Sequence, residues 1–90
     1  MASKMRTRIE EEFADSEMLF ADGFDEAIMG VVVASAGNGY HEQVLYDYQK
    51  CIDILVKRDG MTQDDAAEFL EFNTVGAYVG EHTPLFMVKP

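Results

Sequence analysis

The run Ile28-Met29-Gly30-Val31-Val32-Val33-Ala34 limits the folds open to this chain more than any other stretch. β-Branched side chains lose rotamer freedom in a helix and suit a pleated strand, so consecutive valines favour extended backbone. Ser35-Ala36-Gly37-Asn38-Gly39 follows, with two glycines and an asparagine that tolerate positive φ. Gln43-Val44-Leu45-Tyr46 then reads as a returning strand. The expectation is a β-hairpin whose loop is somewhat longer than the two-residue minimum.

A sheet with an apolar face must bury it against another element, and the remaining sequence supplies helices. Asp47 is placed to cap a helix from Tyr48 to Arg58, with Tyr48, Cys51, Ile52 and Leu55 along one face. Lys57 and Arg58 fall in its last turn, and Gly60 stands at the position that ends it. Thr62 caps a further helix, with Asp65 three residues on. Its buried stripe is expected at Ala66, Phe69, Leu70, Asn73 and Ala77, and its outer face at Asp64, Glu68 and Glu71. Gly80 ends that helix, and Leu85-Phe86-Met87-Val88 reads as a short last strand opened by Pro84. Residues 5–20 form an N-terminal helix with Ile9, Phe13, Ser16 and Phe20 near one face, broken by Asp22-Gly23. The predicted class is α+β. A β-hairpin plus the C-terminal strand makes a small three-stranded sheet, packed by an α-helical hairpin, with an N-terminal helix. Leu55, Phe69 and Leu70 are expected to bury against Ile28, Val32 and Leu45.

Ninety residues suit a single domain, 1–90, of limited stability. Seventeen carboxylates stand against seven basic residues, for a net charge of −10. Phosphate backbones and anionic membranes repel such a chain, whereas a basic protein surface attracts it. The single cysteine, Cys51, excludes an internal disulfide and suits a reducing compartment. No apolar run reaches the roughly 18–20 residues of a membrane span. The expected location is the cytoplasm.

Ala21-Asp22-Gly23-Phe24-Asp25-Glu26-Ala27-Ile28-Met29-Gly30-Val31, Val44 to Ile52, Gly60-Met61-Thr62 and Phe69-Leu70-Glu71-Phe72-Asn73 carry a resemblance. Its most specific part is Gly76-Ala77-Tyr78-Val79-Gly80-Glu81-His82-Thr83-Pro84-Leu85-Phe86. In these runs the chain resembles a family of small acidic proteins encoded by tailed bacteriophages. The resemblance implies a viral origin, hence the cytoplasm of a host cell, and a shared fold, and brings no established activity with it.

Residues with reactive side chains are few and badly spaced for catalysis. Asp22, Asp25 and Glu26 lack the alternating acids and distal glutamate of a calcium loop and read as a polar turn. His41, His82 and Cys51 show no HxxxH, CxxC or HExxH spacing, and Cys51 sits on an apolar helix face. Ser35 to Gly39 lacks the lysine of a phosphate loop. No enzyme activity, cofactor or metal is expected.

Binding is the remaining class of function. One set of candidates is an extended acidic surface of Glu10, Glu11, Glu12, Asp15, Asp64, Glu68 and Glu71, formed if the first and third helices lie side by side. Its partner would be a host or viral protein, basic or itself nucleic-acid-binding, and the chain its inhibitor or adaptor. The alternative is a small-molecule or nucleotide pocket, in a homo-oligomer, lined by Asn73, Gly76, Tyr78, Glu81, His82 and Thr83. A structural role in the virion comes third. Gly76 marks a close backbone approach, because glycine inside a helix costs about 1 kcal/mol against alanine.

Overall fold

The structure, a computed structural model, describes residues 4–15, 18–36, 39–75 and 82–90. Strands β1 (Ile28–Ala36) and β2 (Gly39–Asp47) pair antiparallel, with Val31 opposite Val44 and Ala36 opposite Gly39. The ladder runs closer to the turn than expected, with Ser35 opposite Tyr40 and Ala36 opposite Gly39. A register shift between Ile28 and Gly30 leaves Met29 without a partner, a bulge at the start of β1.

Asp47 closes β2 and opens α2 (Tyr48–Asp59), its carboxylate accepting the Lys50 amide at 3.1 Å. Gly60 ends α2 with φ 70°, the left-handed conformation that costs a residue with a Cβ. Thr62 caps α3 (Gln63–Leu70) by accepting the Asp65 amide at 3.1 Å. Here the helix departs from expectation. It ends at Leu70, and residues Glu71–Val75 form a wider π turn. The Glu71 amide reaches both Ala67 and Glu68 carbonyls, while the Asn73 side-chain amide donates to the Phe69 carbonyl at 3.1 Å. Asn73, Thr74 and Val75 are weak helix formers, so little resists that widening.

β3 (Leu85–Met87) pairs parallel with β2, Leu85 opposite Leu45 and Phe86 opposite Tyr46. Parallel neighbours need a crossover, and α2 with α3 supplies it. The result is an α+β fold with a mixed sheet in the order β1-β2-β3. An N-terminal helix, α1 (Lys4–Glu12), is shorter than the 5–20 expected, with Ile9 buried beneath it.

The core lies on one face of the sheet. Ile28, Val44 and Tyr46 meet Cys51, Ile52 and Leu55 of α2 and Ala66 and Leu70 of α3. The Phe86 ring stacks on Tyr46 with centroids 5.3 Å apart. Leu55 and Leu70 are fully buried, as expected. Phe69 and Asn73 are not, because the buried stripe of α3 runs through Ala66 and Leu70 and leaves both exposed. Val32 and Leu45 are also corrected. Pairing of Val31 with Val44 puts their neighbours on the opposite face, where both are half-buried and outside the core. Gly76 and Ala77 lie outside the described residues.

Candidate functional site

The surface of α3 carries the most conspicuous solvent-facing chemistry among the described residues. Phe72 is 78% exposed and Phe69 39%. With Met61, Asp65, Glu68 and Asn73 they line a shallow hollow of about 520 Å³. Asp65, Glu68, Phe69 and Phe72 recur at helical spacing, so one stripe carries two acids followed by two aromatics. Asp64 and Glu71 continue the acidic edge, both exposed. Glu71 is partly engaged, since the Tyr48 hydroxyl donates to its carboxylate at 3.1 Å. Partial burial and that carboxylate together raise the Tyr48 phenol above its usual value.

The other expected acids form a separate patch. Glu11, Glu12 and Asp15 gather with Phe13, Ala14 and Glu42 around a hollow of about 350 Å³. Arg6 lies 3.8 Å from Glu10, and Arg8 lies 3.7 Å from Glu12. α1 packs mainly against β1 and α3 mainly against α2, so the acids divide into two surfaces that border different hollows.

The residues expected to line a pocket are also dispersed. Asn73 borders the aromatic hollow, whereas the other described members are bound to β2. His82 Nδ1 lies 2.9 Å from the Glu42 carbonyl, and the Gln43 side chain donates to the Thr83 carbonyl at 2.9 Å. Gly76, Tyr78 and Glu81 lie outside the described residues.

One concavity had no counterpart in the sequence reasoning. A cleft of about 530 Å³ opens between α2 and the 3-10 turn Asp25–Ala27, lined by Lys50, Lys57, Arg58, Asp53, Glu26 and Asp25 among others. Arg58 forms its end wall, donating from Nη1 to the Gly23 carbonyl at 2.8 Å, with its guanidinium 5.7 Å from the Phe24 ring centre. Gly23 is required there. Its φ is 90°, and a Cβ would stand 2.8 Å from that same Nη1.

The reactive side chains occupy ordinary structural places. Asp25 accepts from Arg6 at 3.0 Å, which ties the turn to α1, and Arg6 also lies 4.5 Å above the Phe20 ring. His41 and His82 come within 6.5 Å, ring centre to ring centre, while Cys51 is buried beneath α2. Among the described residues no three metal-ligating side chains converge. Burial pushes the Cys51 thiol up to about 12, and nearby Asp47 adds to it, so the nucleophilic thiolate is scarce at neutral pH. No helix of the described residues is long and apolar enough to cross a membrane. Compared with known proteins, the chain matches no family model, no curated protein and no solved structure, so the phage resemblance stands on the quoted residues alone.

Proposed function

We propose that this chain is a protein-binding module, an inhibitor or adaptor that grips a basic partner through the α3 surface. The observation that carries this is Phe72, a large apolar ring 78% exposed in the π turn that follows a helix dense in carboxylates. A phenylalanine so placed adds nothing to the core, and aromatic side chains are the usual anchors of protein interfaces. The hollow beside it accepts an apolar side chain of the partner, while Asp64, Asp65 and Glu68 steer a basic surface toward it. The acidity of the whole chain and its resemblance to phage proteins support a host macromolecule as the target, one whose basic surface normally takes nucleic acid. The direct test is cross-linked pull-down from expressing cells with the wild type, Phe72→Ala and Glu68→Lys. A partner retained by the wild type and lost from both variants, with binding that weakens as salt rises, supports the proposal. Equal capture by all three proteins overturns it.

A second reading rests on the cleft over α2. Its volume suits a small ligand, and Lys50, Lys57 and Arg58 bring three of the chain's seven basic residues together there. Asp25, Glu26 and Asp53 line the same cleft, and Arg58 is held by Asp59 at 3.1 Å, so a small ligand that carries both charges is the chemistry that fits. Native mass spectrometry that shows bare protein mass after gentle purification would remove it.

A further inference from the structure

His41 and His82 approach one another where the chain enters β3. His41 lies in β2, opposite Ala34. His82 stands three residues ahead of β3 and reaches back to β2, its Nδ1 2.9 Å from the Glu42 carbonyl. A carbonyl only accepts, so Nδ1 carries the proton and donates it. In the neutral ring that leaves Nε2 as the nitrogen with a lone pair. A backbone carbonyl that holds one imidazole N–H is the usual support of a histidine ligating a metal through its other nitrogen. The two rings are half-buried and meet edge to face, their planes 88° apart and their centres 6.5 Å apart.

We infer that His41 and His82 together bind a divalent ion of the zinc, nickel and copper class, with water completing its shell. Imidazole nitrogens stand about 2.0–2.1 Å from such an ion, so two rings sharing one have centres about 6.4 Å apart at most and about 5 Å apart in a tetrahedral shell. The observed separation stands at the outer limit. Closing it takes about 1–1.5 Å, divided between two half-buried rings, which small rotations inside their rotamer wells supply. One nitrogen of His41 suffices, so a hydrogen bond at its other nitrogen orients the ring and leaves the site open.

Ligand type selects the ion. No described carboxylate or thiol completes a three-ligand group with the pair. Imidazole favours zinc, nickel and copper, whereas magnesium and calcium take oxygen. With two protein ligands the site is reversible and weaker than a four-ligand structural zinc centre.

Position sets the consequence. The ion ties β2 to the segment that leads into β3, the same junction that the Gln43 side chain bridges by donating to the Thr83 carbonyl at 2.9 Å. β3 has only three residues, and its own ladder is short. An ion bound by the docked strand and not by the released one stabilises docking as the site fills. The histidine pair is thus a metal-dependent staple for the last strand.

Calorimetric titration of the full chain with Zn(II) tests this, with Mg(II) as the control for its seventeen carboxylates. Zn(II) should bind at one ion per chain, and Mg(II) should not reproduce it. His41→Ala should weaken Zn(II) binding by about tenfold or more. So should His82→Asn, whose amide can still donate to the Glu42 carbonyl, and either variant alone decides the matter if the other fails to fold. Exchange of the Leu85, Phe86 and Met87 amides should slow with Zn(II) in the wild type and in neither variant. Equal Zn(II) affinity in wild type and a folded variant, or binding matched by Mg(II), overturns the inference by placing the ion on carboxylates. A wild type that takes up no Zn(II) at millimolar metal overturns it too, as does exchange in β3 that bound Zn(II) leaves unchanged.

Discussion

Replacement of Tyr46 by phenylalanine isolates one hydroxyl at the centre of the fold. The side chain is fully buried, its ring stacks on Phe86, and its oxygen accepts the Ala21 amide at 2.7 Å. Tyr46→Phe keeps the ring and strands that amide. Ala21 is only half-buried, so its N–H regains some water, and the cost at neutral pH should be about 1–2 kcal/mol. Alkaline pH then separates this account from a simple packing defect. Burial pushes the phenol up to about 12, the Ala21 N–H offsets part of that, and nearby Asp25 adds to it. In the unfolded chain the phenol titrates near its usual value of about 10. Its folded pKa is raised, so its contribution is complete below about pH 10 and is lost as pH climbs toward about 12. The loss amounts to about 1.4 kcal/mol per pH unit, nearly 3 kcal/mol in all. Phenylalanine cannot titrate. The Cys51 thiol, also raised by burial, falls in the same window in both proteins and cancels in the difference. Urea unfolding of the two proteins from neutral to alkaline pH should show the wild type ahead at first and the curves crossing near about pH 11. A stability gap that stays constant across that range would refute the environment assigned to Tyr46.

Leu70→Ala should cost about 2–5 kcal/mol by thermal or urea denaturation, because the side chain is fully buried between α3 and the sheet. The Cys51 thiol should resist alkylation in the native protein and react at the rate of unfolding, so rapid labelling without denaturant would contradict its burial. Gly60→Ala should destabilise by about 1 kcal/mol, since φ 70° strains a residue with a Cβ although nothing lies within 4 Å to clash. The Asp47 carboxylate is held below its usual range by the Lys50 amide first and by Lys89. Its contribution is therefore present above about pH 4 and lost as pH falls further, and Asp47→Ala should flatten the acid limb of the stability curve.

Local chemistry was the most legible part of the sequence. The caps at Asp47 and Thr62 and the stop at Gly60 depend on residues three or four positions apart, and all occur where expected. Facing was harder to read. Val31-Val32-Val33 and Val44-Leu45 are apolar on both sides of the strand, so alternation could not say which members enter the core. The stripe of α3 was rotated for a similar reason, because Phe69 borders Leu70 and an aromatic residue is easily taken for core. Phe72 did carry a signal, standing off the Ala66–Leu70 line beside the acids of α3. The cleft over α2 had none. It exists because Arg58 reaches Gly23, thirty-five residues away in sequence, and composition holds no trace of that contact.

The parallel pairing of β3 sets an order of events in folding. Leu45 and Leu85 become neighbours only after both crossover helices have folded the chain back on itself. Bringing together partners forty positions apart, the separation of His82 and Glu42, carries a loop-closure cost of about 3 kcal/mol beyond a constant. A three-residue strand returns few ladder bonds against that cost. The hairpin and the helices close much shorter loops and form first. β3 is thus the last piece to dock and the first to release, and in native-state hydrogen exchange its amides should open well below the global unfolding free energy.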